Sequence, residues 1–131
     1  MTTCVVLHPL GQPVHHHPYA LVNVPLTGVF FLIQRLLPLM NDGGRILNLS
    51  SGLARFALSG DAAYAAMKGA VEVLSRYLAQ ELGPRGIAVN VVASGAIETD
   101  FGGGPLVAVL LQPATRWVNA QRIEASGGMF L

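Results

Sequence analysis

The chain contains 131 residues, of which 52% are hydrophobic and only 11% are charged, as in folded globular domains rather than disordered segments. Eight basic residues oppose seven acidic ones, and the net charge of +1 offers no extended positive surface to a nucleic acid. The apolar runs are far shorter than the roughly 20 residues that a membrane-spanning helix requires. A single cysteine, Cys4, excludes an internal disulfide, and the amino terminus does not resemble a secretion signal. We therefore expect one cytoplasmic domain that neither binds nucleic acid nor enters a membrane.

The first 20 residues combine several prolines with a run of three histidines and show no helical or strand period. We interpret residues 1–20 as an irregular amino-terminal arm. Adjacent histidines point in different directions on any regular element, and the arm's only cysteine is distant in sequence, so we predict no metal site at His15, His16 and His17.

Helical and strand patterns alternate after this arm. Residues 21–40 carry apolar side chains at helical spacing, and a glycine turn at 43–44 separates them from a short strand over 45–51. A second helix is predicted from Asp61, as its capping residue, to about Leu82. Residues 87–93 form a continuous apolar strand of the kind that is covered on both faces. Two strands joined through a helix predict parallel pairing.

The end of the chain is less regular. Residues 106–111 are apolar but too few to be assigned to a helix or a strand, and residues 122–125 are predicted to form a last short strand. The glycine run 102–104 lacks the spacing and the following Lys-Ser/Thr of a phosphate-binding loop, which favours a plain linker. The pattern as a whole predicts an α/β fold with a parallel sheet.

Tyr64 and Lys68 form the most informative pair in the sequence. They lie four residues apart on one predicted helical face, and Lys68 is the chain's single lysine. A nearby cation lowers the pKa of a phenol, which would suit Tyr64 to exchange a proton with an alcohol or carbonyl oxygen. Ser51, at the end of the preceding strand, could bind the same oxygen.

With Ser51, this Tyr-x-x-x-Lys pair and the later segment 90–99 (Asn-Val-Val-Ala-Ser-Gly-Ala-Ile-Glu-Thr), the sequence resembles the short-chain dehydrogenase/reductases. The resemblance implies a Rossmann-like, doubly wound, three-layer fold and hydride transfer between NAD or NADP and an alcohol or carbonyl. The matching catalytic residues are Asn23, Ser51, Tyr64 and Lys68.

The resemblance also implies a role for each of these residues. Tyr64 would be the acid/base, Ser51 would orient the substrate oxygen, and Asn23 would hold a water of the proton relay. Lys68 would lower the pKa of Tyr64 and bind the cofactor ribose. The cofactor-binding residues would be Tyr64, Lys68, Gly95, Ile97 and Thr99, although Ser94 replaces the proline that the family usually has before Gly95.

The resemblance covers residues 21–101 and resumes weakly at 117–128, so we interpret residues 21–131 as the carboxy-terminal part of such a catalytic core, with an internal deletion near 102–105. We find no glycine-rich pyrophosphate turn before residue 21. We therefore expect doubtful cofactor binding, little or no activity of the chain alone, and an unpaired edge on the strand around residues 46–49. Self-association is expected through helices 21–40 and 62–82. The alternative is a non-catalytic dimerisation or interaction module derived from the same family.

Overall fold

The core of the protein is a four-stranded parallel sheet. The computed structural model describes residues 4–7, 23–95 and 104–128. The strands lie side by side in the order β1-β2-β3-β4, and every neighbouring pair is parallel. Their bounds are Cys4–Leu7 for β1, Arg45–Ser51 for β2, Ala88–Ser94 for β3 and Arg122–Ala125 for β4. The predictions of an α/β fold, of parallel pairing and of a last short strand are confirmed.

Within the described residues, three α-helices accompany the sheet: α1 is Val29–Leu36, α2 is Ala62–Glu81 and α3 is Gly104–Leu110. The first predicted helix is broken into a π-helical turn (Asn23–Gly28), α1 and a 3-10 turn (Leu37–Leu39). Pro25 and Pro38 fall within the two irregular turns, and each lacks the N–H that a continuous α-helix needs. None of the helices in these described ranges is long and apolar enough to cross a membrane.

The helices cover both faces of the sheet and make a three-layer domain. On one face, buried residues of β2 and β3 pack with residues of α1 and α2, including Ile46, Val89, Val29, Ile33 and Leu78. On the other face, Leu47, Leu49 and Val92 pack with Leu110 of α3. The first six residues of β2 and of β3 are all buried. This confirms the expectation of strands covered on both sides.

The structure differs from the sequence analysis at the amino terminus. Cys4–Leu7, within the segment predicted to be an irregular arm, forms β1 and pairs in parallel with Arg45 to Asn48 of β2. The predicted unpaired edge on β2 is therefore wrong. Four consecutive apolar residues are too few to show a period, but they are enough to satisfy the backbone groups of a neighbouring strand. His15, His16 and His17 lie outside the described residues.

The start of α2 also differs from the prediction. Asp61 precedes the helix as expected, but its side chain makes no capping hydrogen bond. Its backbone, at φ −104° and ψ 13°, lacks the extended conformation that directs an N-cap side chain to the first free N–H groups. Residues 106–111, which the sequence assigned to neither a helix nor a strand, belong largely to α3, where Leu106, Val107 and Leu110 pack on the sheet.

Arg85 links the turn before β3 to the chain that follows α1. Its guanidinium donates hydrogen bonds to the carbonyl oxygens of Leu37 (3.1 Å) and Met40 (2.5 Å) and to a carboxylate oxygen of Asp42 (2.8 Å). The two carbonyls belong to the end of a helical segment, and that of Leu37 also accepts the Met40 N–H at 3.3 Å. One side chain thus ties together two turns at the amino-terminal end of the sheet.

We expect Arg85→Ala to lower the free energy of unfolding by about 1–2 kcal/mol, because two partly buried carbonyls lose a charged donor. Urea denaturation followed by circular dichroism measures the change. Arg35→Ala, an exposed arginine of α1, is the control and should change the stability by less than about 0.5 kcal/mol. Equal effects of the two substitutions would contradict this role for Arg85.

Candidate active site

The carboxyl end of β2 brings Ser51 to the first turn of α2. Ser51 is the last residue of β2 and caps a 3-10 turn, Gly52–Ala54, by accepting a hydrogen bond from the Leu53 N–H at 3.2 Å. Its hydroxyl also forms a hydrogen bond with Tyr64, which favours the phenolate form. Ser51 can therefore donate to the phenol oxygen while accepting from the backbone.

Lys68 lies one turn further along α2 and points into the protein. Its side chain is only 3% exposed, and its Nζ donates a 2.9 Å hydrogen bond to the carbonyl oxygen of Leu49. The ammonium lies 5.6 Å from the centroid of the Tyr64 ring. Burial lowers the pKa of Lys68, because water stabilises the ammonium better than the protein interior does. The structure thus brings Ser51, Tyr64 and Lys68 together.

The pKa of Tyr64 departs from the sequence-based expectation. Burial raises the pKa of the phenol, the hydrogen bond from Ser51 opposes this rise, and the charge of Asp61 adds to it. Lys68 was expected to lower this pKa, but its ammonium lies beside the ring and is itself largely desolvated. A raised pKa makes the phenol a weaker acid and its phenolate a stronger base than in a free tyrosine.

Gly95 follows β3 and touches the turn after β4. A Cβ atom built on Gly95 would lie 2.8 Å from the Cβ and 3.0 Å from the Cα of Ser126, distances too short for two carbon atoms that are not bonded. The Gly95 N–H also donates to the carbonyl oxygen of Ala125 at 3.2 Å. Only glycine fits this position without a shift of the backbone. Ser94, in place of the family's proline, ends β3 in register with Ser51.

The other predicted site residues are only partly placed. Asn23 begins the π-helical turn, and that turn contacts α2, but the Asn23 side chain lies outside the described part of the structure. Ile97 and Thr99 also fall outside the described residues, as do residues 102 and 103 of the predicted deletion near 102–105, whereas residues 104 and 105 begin α3.

A polar network behind the site was missed by the sequence analysis. It joins Ser50 of β2, Glu72 of α2 and two residues of β4, Arg122 and Glu124. A hydroxyl residue within the otherwise apolar strand β2, and charges alternating along β4, are the signals that could have revealed it. Neither signal shows which residues are partners, because Arg122 and Glu72 are 50 positions apart.

A cleft of about 260 Å³ lies beside the site. It is lined mostly by apolar residues of the segment 53–58 and of the first turn of α2, with one charge of each sign from Arg55 and Asp61. Ser51, Tyr64 and Lys68 do not line this cleft. We assign no ligand to it.

Comparison with known proteins identifies the family. The family model described as enoyl-(acyl carrier protein) reductase matches residues 17–106. Dehydrogenase OXI1 of Cochliobolus heterostrophus is 31% identical, over 84% of this chain and 61% of that protein. The chain belongs to the short-chain dehydrogenase/reductase family, as its sequence suggested. The relatives include this dehydrogenase and a 3-oxoacyl-(acyl-carrier-protein) reductase of Staphylococcus epidermidis, which supports the expected oxidoreductase family.

Solved structures of this family superpose closely on the chain. LugOII, a promiscuous reductase that catalyses keto-reduction at C1 during lugdunomycin biosynthesis, has a TM-score of 0.85 and 34% identity, covering 96% of this chain and 59% of its own. The angucycline C-6 ketoreductase LanV, with bound NADP, has a TM-score of 0.82 and 30% identity, covering 95% and 61%. These neighbours confirm the Rossmann-like fold. The chain spans between 41% and 61% of the first three curated relatives.

We expect Gly95→Ala to lower the free energy of unfolding by about 1–3 kcal/mol, because the added methyl group must displace Ser126 or the backbone. Gly69→Ala is a matched control, since Gly69 lies within α2 with no atom within 4 Å of the added Cβ. This control should raise the stability by up to about 1 kcal/mol through its higher helix propensity. Chemical denaturation of the three proteins measures both effects, and a neutral Gly95→Ala would contradict the predicted close contact.

Proposed function

We propose that this chain carries the reaction site of an NAD(P)-dependent oxidoreductase that interconverts an alcohol and a carbonyl compound. The observation that carries the proposal is the convergence of Ser51, Tyr64 and Lys68 at the carboxyl end of β2, in a chain of this family. Protonated Tyr64 can donate its proton to a substrate oxygen, and Ser51 lies close enough to Tyr64 to bind the same oxygen. Asn23 is proposed to support the proton relay.

Lys68 is proposed to serve both the phenol and the cofactor. Among the described residues its ammonium donates one hydrogen bond, to Leu49, and an ammonium has three N–H donors. Two donors can therefore reach the hydroxyl groups of a ribose. We also propose that the ammonium, 5.6 Å from the ring centroid, attracts the phenolate left after proton donation, although this attraction does not offset the rise in the Tyr64 pKa that burial causes. Both roles require the Lys68 side chain to keep its present direction.

The residues of the site fit a nicotinamide cofactor. Lys68 is a cation with N–H donors beyond the one bonded to Leu49, and the side chains of Ser51 and Tyr64 place hydroxyl groups beside it. The contact of Gly95 with Ser126 fixes the backbone at the same edge of the sheet. Tyr64, Lys68 and Gly95 are proposed to bind its nicotinamide half, together with Ile97 and Thr99. When bound, the reduced cofactor supplies the hydride that the carbonyl carbon receives. NADP and NADPH are bound by solved relatives, whereas the preference of this chain is open.

Cofactor binding tests the proposal directly. Doubtful cofactor binding was expected from the sequence because no glycine-rich turn was found before residue 21, whereas the convergence of Ser51, Tyr64 and Lys68 leads us to propose binding. We expect NADH or NADPH fluorescence to change saturably when the cofactor is titrated with the chain, and Lys68→Met to weaken binding by about 10- to 100-fold through loss of a charged hydrogen bond. Arg76→Met removes the same charge from an exposed position of α2 and should bind as the unmodified chain does. Equal binding by both variants, or no binding to the folded chain at millimolar cofactor, would contradict the proposal.

Turnover separates the role of Tyr64 from cofactor binding. With cyclohexanone and acetophenone as test ketones, Tyr64→Phe should weaken cofactor binding less than Lys68→Met does but slow any NADPH oxidation at saturating cofactor by about 100- to 10,000-fold, because the proton donor is lost. Stopped-flow absorbance of NADPH measures this rate. If the chain binds cofactor yet neither ketone is reduced, Tyr64→Phe should be compared in the reverse direction with cyclohexanol.

A second candidate function is a dimerisation module. Both α1 and α2 expose large apolar side chains to solvent: Phe30 and Phe31 are 43% and 52% exposed, and Tyr77 is 65% exposed. Exposed apolar side chains on adjacent helices favour burial against another protein surface. We propose a second copy of this chain as the partner, in a homo-oligomer formed through the helices within residues 21–40 and 62–82. This assembly is compatible with a catalytic role and also with the non-catalytic alternative.

Sedimentation velocity tests the proposed assembly. We expect a concentration-dependent dimer or larger oligomer, and Phe31→Glu should weaken it at least about tenfold by placing a charge in the interface. Leu58→Glu, at an equally exposed apolar residue outside both helices, is the control and should leave the association unchanged. A monomer at all concentrations would exclude the module, and an oligomer unaffected by Phe31→Glu would place the interface elsewhere.

A further inference from the structure

Lys68 and Glu72 lie on the same face of α2 but do not pair with each other. A lysine and a glutamate four residues apart on a helix are neighbours and attract each other. In this protein the carboxylate oxygen Oε1 of Glu72 instead accepts hydrogen bonds from Ser50 Oγ at 2.7 Å and from Arg122 Nε at 2.8 Å. No ion pair between Lys68 and Glu72 occurs in the described ranges.

Arg122 is itself held between two carboxylates. Its Nη1 donates to Glu124 Oε2 at 2.7 Å, while its Nε bonds Glu72. Arg122 and Glu124 are two residues apart on β4, so their side chains leave the same face of the sheet, the face that α2 covers. Arg55 approaches Glu124 at 3.6 Å, and the four charges balance. Partial burial alone would lower the pKa of Arg122, but the hydrogen bonds to Glu124 and Glu72 outweigh it and raise the pKa.

Loss of Arg122 would leave the Glu72 carboxylate without its cation. The Glu72 side chain is 12% exposed, so solvent could not replace the lost charge partner, and an unpaired charge at such depth is costly. Lys68 and Arg76, four residues before and four residues after Glu72 on α2, are the cations that share its helical face. Arg76 is exposed to solvent, whereas Lys68 is buried on the side of α2 that faces the sheet, as the Glu72 carboxylate is. Its ammonium, now bonded to the Leu49 carbonyl and close to the Tyr64 ring, would then be drawn toward the carboxylate.

We propose that Arg122 is a positioning residue, which occupies the Glu72 carboxylate and thereby keeps the Lys68 ammonium directed toward Leu49 and Tyr64. Ser50 completes this arrangement, since its hydroxyl contacts both the Glu72 carboxylate and the backbone carbonyl of Lys68 (3.2 Å). The effect of Arg122 on cofactor binding and reaction rests on the proposed function. The arrangement of Arg122, Glu72 and Lys68 is independent of that function and can be measured without a cofactor.

The single lysine of the chain allows a direct test. Protein labelled with carbon-13 lysine gives one set of side-chain NMR signals, and these report on Lys68 alone. In R122Q we expect the measured pKa of Lys68 to rise, because a carboxylate then approaches the ammonium. We also expect the ε-methylene proton shift to lose the ring-current contribution of Tyr64. In E72Q/R122Q, which removes both charges, both properties should return to the values of the unmodified chain.

R55Q is the matched control. It removes a guanidinium from the same cluster, but one that contacts Glu124 rather than Glu72, so the Lys68 signals should not move. Unchanged Lys68 signals in a folded R122Q would overturn the proposal, as would an R122Q shift that persists in E72Q/R122Q. If R122Q does not fold, the double variant decides: signals like those of the unmodified chain support the proposal, whereas a lower Lys68 pKa would show that Glu72 already pairs with Lys68 and would overturn it.

A parallel NADPH titration separates this inference from the proposed function. R122Q should weaken NADPH binding by about three- to tenfold, and E72Q/R122Q should restore it, because Lys68 recovers its direction. If neither the unmodified chain nor any variant binds NADPH, the proposed function fails, but the NMR test of the Arg122 role remains valid. If the chain binds NADPH and the Lys68 signals of R122Q do not move, the positioning role fails while the proposed function stands.

Discussion

The attachment of α2 to the carboxyl end of β2 is the constraint on which the candidate site depends. Three consecutive strand residues contact α2 between Tyr64 and Glu72: Leu49 through its carbonyl oxygen, Ser50 through its hydroxyl and Ser51 through its bond to Tyr64. The helix residues in these contacts are Lys68, Glu72 and Tyr64, which lie on successive turns of α2. A shift of the helix along the strand would break all three contacts at once, so the positions of Tyr64 and Lys68 relative to Ser51 follow from one rigid junction.

The parallel sheet extends this junction to the rest of the domain. Because all four strands run in the same direction, Ser51, Ser94 and Ala125 lie in one row at the same edge of the sheet. The close approach of Gly95 to Ser126 follows directly beyond that row. Residues from three separate parts of the chain thus meet where the strands end, which is where ligands bind in open α/β sheets.

The face of the sheet beneath α2 changes character along the strands. Near the amino-terminal end it is apolar, with Ile46 and Val89 in contact with the helices. Toward the site it becomes polar: Asn48 bonds Ser75 at 2.8 Å, and Ser50 bonds Glu72 at 2.7 Å. Apolar packing attaches the carboxyl-terminal part of α2 to the sheet, and directional hydrogen bonds orient the part of α2 that is nearer to the site. A buried lysine is tolerated there because backbone and aromatic groups surround its ammonium.

The sequence by itself determined the local features of this protein. Apolar periodicity located α2 and the strands β2 and β3, and the spacing of Tyr64 and Lys68 placed both on one helical face, because these signals depend only on neighbouring residues. Pro25 and Pro38 are also visible in the sequence, but the apolar period over residues 21–40 predicted one continuous helix where the structure has two irregular turns around α1. Family resemblance added Ser51 and the expected reaction type, neither of which spacing alone could supply.

The tertiary structure decided the contacts between distant segments. The pairing of Cys4–Leu7 with β2 has no periodic signal, since four residues are too short to show one. The pKa of Tyr64 rises rather than falls because burial, which depends on the whole fold, outweighs the local hydrogen bond. The bond between Arg122 and Glu72 joins residues 50 positions apart. Such a pair forms only when the register of β4 in the sheet brings its side chains under α2, and register is a property of the assembled sheet.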